Sequence, residues 1–315
     1  MAYNTYSLKE VANLPERLAP GHRMCAGCGA TVGVRAVLRA LHPEDHAVIT
    51  NATGCLEVST CTYPYTSWED SYLHTAFENA AATTSGAVAA YKAKKKKGQL
   101  AENYKFITFG GDGGTYDIGF QSLSGAMERG TDMVYVCYDN EAYMNTGVQR
   151  SSSTPLYADT TTSAVGTESV GKLQNKKDLT VIIAAHNIPY VAQTTFFGNF
   201  KDIHRKAETA IYTEGAAFIN MFAPCPRGWI YDEADLMNIC KVAVDSCVWP
   251  LFEVVGGEWV LNYEPKHKLH VEEYLRLQGR FKHLFKPENA HLIDQIQDEI
   301  DRSWEELKLR SAADM

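Results

Sequence analysis

The sequence has no long apolar run and no excess of positive charge, and each absence excludes a class of protein. No stretch approaches the ~18–20 consecutive apolar residues that a membrane-spanning helix needs. The N-terminal segment MAYNTYSLKEVANLPERLAPG lacks the apolar core of a secretory signal. With 30 Lys and Arg against 38 Asp and Glu, the formal net charge is −8, which disfavours general nucleic-acid binding. We therefore expect a cytoplasmic protein that binds neither membrane nor nucleic acid.

Two common nucleotide-binding signatures are also missing. The glycine-rich stretch GGDGGTYDIG does not have the GxGxxG spacing of a Rossmann site, and no GKS or GKT triplet supplies a Walker lysine. The composition itself is ordinary, with 45% hydrophobic and 22% charged residues over 315 positions. Such a chain is long enough for a sizeable core in one large or two small domains.

Cysteine, by contrast, occurs eight times. In a reducing compartment these residues are better candidates for metal or catalytic sites than for disulfides. Three lie in apolar runs and are predicted to be small buried hydrophobic residues: Cys137, Cys240 and Cys247. Four others lie in a Cys-x-x-Cys pair or beside glycine or proline, which suits exposed turns that approach an inorganic cluster: Cys25, Cys28, Cys55 and Cys225. The Cys-x-x-Cys pair alone fits a redox dithiol, half of a zinc site or part of an iron–sulfur site.

Strand-like and helix-like segments alternate along the chain. Near-continuous apolar strands joined by amphipathic helices predict an α/β fold, with a parallel sheet covered by helices on both faces. The last segments read as two amphipathic helices, so we expect an α/β domain over 1–265 and a C-terminal helical extension over 266–315. The Ser- and Thr-rich segment 149–169 follows a strand end and is predicted to be a functional loop. The strand-like runs are 47–53, 105–113, 132–140, 190–196, 216–224 and 251–257.

Two consecutive strand ends carry residues suited to a metal. Asp112 is flanked by glycines, and Asp139, Asn140, Asn145 and Gly147 cluster after the next strand. Ligands of open α/β sheets bind at the carboxyl ends of strands, where adjacent strands would place Asp112 beside Asn140. Carboxylate and amide oxygens suit Mg²⁺, and the glycines allow backbone N–H groups to approach phosphate. The residues predict a Mg²⁺–diphosphate site, although two ordinary turns would use the same residue types.

These motifs closely resemble the thiamine diphosphate-binding β subunit of 2-oxoacid:ferredoxin oxidoreductases, the pyruvate synthase family. The resemblance implies a thiamine diphosphate-binding fold. It covers most of the chain, from CAGCGA through NATGCLE, HTAFENAAA, GGDGGTYDIG, YDNEAYMNTGVQRSSSTP and AAHNIPYVA to APCPRGW.

The resemblance also implies roles for individual residues. Asp112, the Asn140 side chain and the Ala142 carbonyl would hold Mg²⁺, and Asn145 would lie beside the thiazolium and the substrate as the catalytic candidate. Cys61 matches no ligand position of the family. The cofactor-binding residues would be Gly54, Cys55, Gly111, Asp112, Gly113, Asn140, Ala142 and Asn145. The ligands of a [4Fe–4S] cluster would be Cys25, Cys28, Cys55 and Cys225.

The implied activity is the anaerobic oxidative decarboxylation of a 2-oxoacid, with electrons passed through the cluster to ferredoxin. Pyruvate is the commonest substrate in the family, 2-oxoisovalerate, 2-oxoglutarate and oxalate remain open, and CoA takes up the acyl group in most members. Longer, fused members carry further ferredoxin-type CxxCxxC runs, which this sequence lacks. The resemblance therefore implies one subunit of a multi-chain enzyme whose partner carries additional clusters.

One part of the expected site is hard to assign. Thiamine enzymes need a carboxylate on the aminopyrimidine, and Glu57 and Glu78 are candidates by sequence position only, with a packing or helix-surface role as the alternative. In the family a different subunit holds that ring. Two other functions remain open. A non-redox thiamine diphosphate decarboxylase would need no electron exit, and a zinc-stabilised structural subunit would give Asp112 and Asn140 no role.

Overall fold

A mostly parallel sheet of eight strands forms the centre of the fold in the computed structural model, in which residues 7–197 and 200–313 are described. The order of the strands across the sheet is β2-β1-β3-β4-β6-β5-β7-β8. The strands are β1 (His46–Asn51), β2 (Ser71–His74), β3 (Tyr104–Gly111), β4 (Met133–Asp139), β5 (Tyr190–Thr194), β6 (Ala216–Phe222), β7 (Phe252–Val255) and β8 (Glu258–Leu261).

The first six strands run parallel to one another, whereas β7 is antiparallel to β5 and β8 is antiparallel to β7. A two-residue turn joins β7 to β8, and its central residues Gly256 and Gly257 have φ values of 59° and 94°. Only glycine adopts such angles at both positions of a tight hairpin without strain. The predicted α/β class is confirmed, with an antiparallel hairpin added at one edge.

The helices lie between the strands along the chain. Among residues 7–197 and 200–313, no helix is both long and apolar enough to cross a bilayer. The helices are α1 (Leu8–Val11), α2 (Gly29–Leu38), α3 (Cys55–Thr60), α4 (Ala80–Lys96), α5 (Phe120–Glu128), α6 (Leu179–Ala184), α7 (Lys201–Tyr212), α8 (Pro226–Trp229), α9 (Leu236–Asp245), α10 (Val271–Arg276) and α11 (Ala290–Ala313). Shorter turns are a π-helical turn at Gly113–Ile118 and 3₁₀ turns at Glu233–Asp235, Gly279–Phe285 and Pro287–Asn289.

Two apolar clusters cover the two faces of the sheet. Along β4, Val134 and Val136 belong to one cluster, and Tyr135 and Cys137 belong to the other. This alternation follows from the two-residue period of a strand. The first cluster includes side chains of α2, α7 and α9, and the second includes side chains of α4, α5 and α6. Helices therefore cover both faces, as predicted.

The C-terminal helices pack on the sheet domain. Helix α11 contacts β8 and α10, and its Trp304 and Leu307 join the second apolar cluster. Its earlier residues Leu292 and Ile296 join the first cluster. The boundary at residue 265 between an α/β domain and a helical extension stays a prediction. These contacts show that the two parts pack together, and they do not show whether either folds independently.

Five elements do not follow from the sequence patterns. They are the strands β2 and β8 and the short helices α1, α3 and α8, each too short to carry a long apolar or periodic run. In addition, the segment after Asp112 begins with a π-helical turn before α5, and π-helical turns are frequent at functional sites.

Candidate cofactor and metal site

A cleft opens at the carboxyl ends of the central strands. It lies at the ends of β1 and β3, which are neighbours in the sheet. From β1 the chain first adds β2 on one side of that strand and then adds β3 on its other side. Ligands of open α/β sheets bind at such a switch in strand order. The cleft is lined by Thr53, Gly54, Cys55, Phe77, Gly111, Gly113, Gly114, Tyr138, Asn140, Ala142, Tyr143, Met144, Asn145 and Thr146.

Three oxygen atoms converge at the floor of this cleft. Asp112 follows β3 and is fully buried, and Asn140 follows β4. The side-chain oxygen of Asn140 lies 2.8 Å from Asp112 Oδ1 and 2.9 Å from the carbonyl oxygen of Ala142. Acceptor oxygens this close repel one another unless a cation lies among them or the amide rotates and its NH₂ group donates to both. Neighbouring ligands of octahedral Mg²⁺ are ~2.9 Å apart for bonds of ~2.0–2.1 Å, so the trio fits that ion.

The carboxylate of Asp112 is held from a second side. Ser151 Oγ donates to Asp112 Oδ2 at 2.5 Å, and the backbone N–H of Asn140 donates to Oδ1 at 3.3 Å. Burial and the nearby Asp139 carboxylate raise the pKa of Asp112 well above its ordinary value. A buried carboxylate in this position needs a positive partner to carry its charge.

A buried network of charges lies beside the oxygen trio. Lys176 Nζ is 2.9 Å from Asp139 Oδ2 and 2.9 Å from Glu141 Oε1, and Arg280 is 2.5 Å from Glu141 Oε2. Burial alone would raise the pKa of Glu141, but Lys176 and Arg280 hold it below its ordinary value. With Asp112, three carboxylates face two cations, which leaves one negative charge. A divalent cation at the trio would compensate that charge.

Tight backbone packing shapes the entrance to the trio. The hydroxyl of Tyr143 donates to the carbonyl oxygen of Gly113 at 2.8 Å. A Cβ atom at Gly113 would lie 2.4 Å from the Tyr143 ring, so no larger residue fits there. Gly111, Gly113 and Gly114 all line the cleft, where their backbone N–H groups can approach a phosphate. Asn145 is exposed and also lines the cleft, on its outer side.

The four predicted cluster cysteines come from three distant segments that the fold brings together. Cys28 precedes α2, Cys55 is the first residue of α3, and Cys225 precedes α8. The backbone N–H of Gly29 donates to the carbonyl oxygen of Pro224 at 3.0 Å and so joins the first segment to the last. Backbone N–H groups at helix starts favour negatively charged sulfur.

Charge on any one of these sulfurs affects the others. Burial, followed by the neighbouring thiols of Cys225, Cys28 and Cys25, raises the pKa of Cys55 to about 12. Burial is likewise the main reason that the pKa of Cys225 rises to about 11. At neutral pH the thiols of Cys55 and Cys225 therefore stay protonated unless a metal ligates them.

The distances between the four sulfurs indicate which kind of metal centre they could bind. Within the described part of the chain, no three of the four sulfurs all lie within 4.8 Å of one another. The sulfurs around a tetrahedral zinc would be ~3.8 Å apart, given Zn–S bonds of ~2.3 Å. The wider arrangement leaves room for a larger inorganic group, such as the cluster that four thiolates usually hold.

Comparison with known proteins supports the interpretation of the cleft as a cofactor site. A family model described as "Thiamine pyrophosphate enzyme, C-terminal TPP binding domain" matches residues 52–221. The chain is also 50% identical to pyruvate synthase subunit PorB of Methanocaldococcus jannaschii, over 93% of this chain and 97% of that protein. The chain belongs to the pyruvate synthase β-subunit family. This family consists of oxidoreductase subunits, and the resemblance seen in the sequence motifs is confirmed.

Other members and one solved structure extend the comparison. Pyruvate synthase subunit PorB of Thermotoga maritima is 48% identical, over 92% of this chain and 90% of that protein. Ketoisovalerate oxidoreductase subunit VorB of Pyrococcus furiosus is 40% identical, over 96% of each. The 2-oxoglutarate:ferredoxin oxidoreductase of Magnetococcus marinus matches with a TM-score of 0.56 and 22% identity, over 71% of this chain and 69% of that one. That structure shares the fold.

Neither of the two glutamates considered from the sequence lines the cleft. Glu57 is buried and contacts Cys61 and His74, and Glu78 is exposed. The packing and surface roles considered as alternatives therefore describe them better. The three cysteines predicted to be buried hydrophobic residues are 0% to 5% exposed, which confirms that prediction: Cys137, Cys240 and Cys247.

Sequence reasoning missed most residues that support the trio. Ser151 and Ser153 lie in the segment predicted to be a functional loop, where Ser153 Oγ donates to Asp139 Oδ1 at 2.5 Å. The functional-loop prediction was the available signal for these two serines. No local sequence pattern predicts that Lys176 or Arg280 belongs to the site, because the carboxylates that they contact come from another part of the chain.

Proposed function

We propose that this chain is the β subunit of an enzyme that oxidatively decarboxylates a 2-oxoacid, with pyruvate as the first candidate. One observation carries the proposal. Asn140 and Ala142, which belong to the oxygen trio, line the same cleft as Cys55. Cys55 in turn is one of the four cysteines that the fold brings together. A non-redox decarboxylase would need only the oxygen trio, and a zinc-stabilised structural subunit would need neither the trio nor the cleft.

Asp112, Asn140 and Ala142 would hold Mg²⁺, which in turn would bind the diphosphate of thiamine diphosphate. When bound, that cofactor supplies an electron sink for loss of CO₂. Ser151 holds the Asp112 carboxylate and the buried charge network lies beside it, so these ligand oxygens would need little reorganisation when Mg²⁺ and the diphosphate bind. Asn145 lies on the outer side of the cleft, where it would contact the substrate and the reacting ring.

The cysteines would give the enzyme its electron exit. Cys25, Cys28, Cys55 and Cys225 would hold a [4Fe–4S] cluster, which supplies one-electron transfer when bound. Because Cys55 lines the cleft, electrons would leave the substrate site by a short route toward ferredoxin. The zinc alternative is disfavoured by the wide spacing of the sulfurs.

Pyruvate is preferred over 2-oxoisovalerate because the relatives named as pyruvate synthase subunits reach 50% identity, against 40% for the ketoisovalerate relative. CoA would take up the acyl group, and further clusters and the aminopyrimidine contact would come from partner subunits. The lack of a glutamate among the residues that line the cleft supports this division of the site.

The test is an assay of the purified multi-subunit complex against pyruvate, 2-oxoisovalerate, 2-oxoglutarate and oxalate, with and without CoA. The reporter is reduction of a viologen dye. Pyruvate with CoA should give the highest kcat/KM, and the isolated chain should give none. Decarboxylation without dye reduction would point to the non-redox alternative, and a preference for another acid would correct the substrate.

A second measurement separates an iron cluster from zinc. The purified chain should be brown, contain iron and sulfide, and bleach when dithionite is added. A colourless chain with zinc bound to four sulfurs would overturn the redox part of the proposal and leave the diphosphate site untouched.

A further inference from the structure

A second group of metal-ligating side chains lies outside the cleft. Glu57 is in α3, Cys61 follows directly after that helix, and His74 is the last residue of β2. Glu57 Oε1 lies 2.6 Å from His74 Nδ1 and 3.2 Å from Cys61 Sγ. One ligand atom from each side chain lies within 4.8 Å of the other two, and in the described part of the chain no other three such side chains meet that spacing.

We propose that Glu57, Cys61 and His74 form a zinc site. Zinc readily binds carboxylate oxygen, thiolate sulfur and imidazole nitrogen together in a tetrahedron. In such a site the ligand atoms would be ~3.3–3.7 Å apart, given metal–ligand bonds of ~2.0–2.3 Å. The Glu57–His74 separation is about 0.7 Å shorter than this and the Glu57–Cys61 separation about 0.3 Å shorter, so side-chain rotations would have to open the group for the ion to enter.

The surroundings supply both a buried anchor and an open side. The side chain of Glu57 is 3% exposed, whereas that of His74 is 57% exposed. The buried carboxylate would face the ion from the protein interior, and a water molecule would occupy the fourth position on the solvent side. The ion therefore has a path from solvent and a partner for the buried negative charge.

A simple ion pair between Glu57 and His74 explains the arrangement less completely. It would neutralise the buried carboxylate and leave the Cys61 thiol as a second hydrogen-bond donor to the same oxygen, whereas an ion would use all three side chains as ligands. Three metal-ligating atoms from different side chains lie within 4.8 Å of one another, which is the kind of spacing that a bound metal needs. Cys61 is also the half-buried cysteine that has no part in the group of four near the cleft.

The position of the site gives it a structural role. The sheet-edge strand β2 supplies His74, and α3 supplies Glu57 two residues after Cys55. An ion bound here would link the edge strand to the helix that begins with a cleft residue. It would therefore hold the Cys55 turn in place without touching the cleft, and the site stands independently of the proposed function.

The test uses the full chain in complex with its partner subunits, incubated with zinc and then desalted. Zinc and iron are measured by mass spectrometry, and zinc K-edge X-ray absorption gives the ligand shell. We expect about one zinc per chain, with one sulfur at ~2.3 Å and three nitrogen or oxygen ligands. The variants Cys61→Ser and His74→Ala should each lower zinc retention more than about tenfold. Their iron content should not change.

The control is Cys240→Ala, which removes a buried thiol that is 0% exposed and should leave both metals unchanged. A ligand shell of four sulfurs would mean that zinc occupies the other cysteine group, and would overturn the proposal. So would zinc retention that is no higher in the parent protein than in Cys61→Ser. The absorption measurement on the parent protein decides the matter even where a variant fails to fold.

Discussion

Two groups of ligand atoms lie at the cleft and differ in how far the protein organises them by itself. We call Asp112, Asn140 and Ala142 the oxygen wall, and Cys25, Cys28, Cys55 and Cys225 the sulfur wall, of which only Cys55 lines the cleft itself. On the oxygen wall, Asp112 receives hydrogen bonds from Ser151 and from the Asn140 backbone, and a buried charge network lies beside it. On the sulfur wall, Cys25 is exposed, and Cys225 Sγ accepts from the Gly228 N–H only at 3.5 Å.

This difference indicates what each wall needs from its ligand. The oxygen wall has its geometry before any ion binds, so removing one residue should damage binding locally. On the sulfur wall, burial raises the pKa values of Cys55 and Cys225, so their thiols stay protonated without a metal. They would be organised by the inorganic group they hold, so loss of one thiol should affect the whole group.

The largest effect should come from Asp112→Ala, which removes the one formal charge of the oxygen trio. We expect retention of thiamine diphosphate to fall by more than about 100-fold, since even supporting residues of metal sites contribute 10- to 100-fold. Excess Mg²⁺ should rescue binding poorly. The measurement is the cofactor bound after gel filtration. Asp132→Ala, which changes a half-exposed carboxylate, is the control. Normal retention in Asp112→Ala would exclude the metal role.

A sharp loss is also expected for Cys225→Ser on the sulfur wall. Most of the iron should be absent, or the reduction potential of the remaining cluster should shift, and dye reduction should fall accordingly. Cofactor retention should change little, because the oxygen wall does not depend on this residue. Iron analysis and redox titration are the measurements, with Cys240→Ala as the matched control. Full iron at an unchanged potential would remove Cys225 from the ligand set.

A smaller effect should follow from Ser151→Ala, which leaves the ligands intact and removes one hydrogen bond to Asp112. The affinity for Mg²⁺ should fall about 10- to 100-fold, because that hydrogen bond orients the ligand. Titration of cofactor binding against Mg²⁺ measures this change. Ser246→Ala removes a buried serine hydroxyl elsewhere, one that donates to the Val242 carbonyl, and should leave the affinity unchanged. Equal losses in both variants would mean that the effect is one of general stability.

Glu253→Gln should have the smallest effect on ligand binding at either wall, because Glu253 lies in a polar network away from the cleft. Burial would raise the pKa of Glu253, but the Tyr190 hydroxyl at 2.6 Å and Arg205 at 2.9 Å hold it below its ordinary value. Breaking this contact should lower the free energy of unfolding by about 1–2 kcal/mol, because the Arg205 side chain is partly exposed and solvent screens the pair. Cofactor affinity should be unchanged.

The pH dependence of that stabilisation has a definite sign. Because the folded-state pKa of Glu253 is lowered, its contribution is complete above the unfolded pKa of about 4.3 and is lost as pH falls through the lower folded value. Thermal unfolding of the parent protein and of Glu253→Gln should therefore converge in acid. A constant difference down to the acid transition would show that another group carries the effect.

Much of the fold follows from local patterns. The runs at 132–140 and 216–224 predict buried strands because nearly every residue in them is apolar, and β4 and β6 are buried throughout. By contrast, β2 is half-exposed with the polar sequence SYLH, so nothing in its local sequence distinguishes it from a loop. It becomes a strand because the edge of β1 is available to pair with it.

The site could be predicted only as far as its residues lie at strand ends. Asp112 and Asn140 each follow an apolar run, and the parallel arrangement brings them together. The contact of Glu141 with Arg280 joins residues 139 positions apart, and that of Glu57 with His74 depends on the unexpected strand β2. No periodicity encodes either contact.

The place of β6 in the sheet has a consequence for how the protein is made. Strand β6 lies between β4 and β5, although it is synthesised after both, so β5 has no parallel neighbour until β6 emerges from the ribosome. Cys225 follows β6 directly. The last thiol of the four near the cleft therefore arrives together with the strand that completes the parallel part of the sheet, before the β7–β8 hairpin is made. Iron delivered to a nascent chain before that point would find an incomplete set of thiols, so assembly of the proposed cluster is expected to follow completion of the parallel strands.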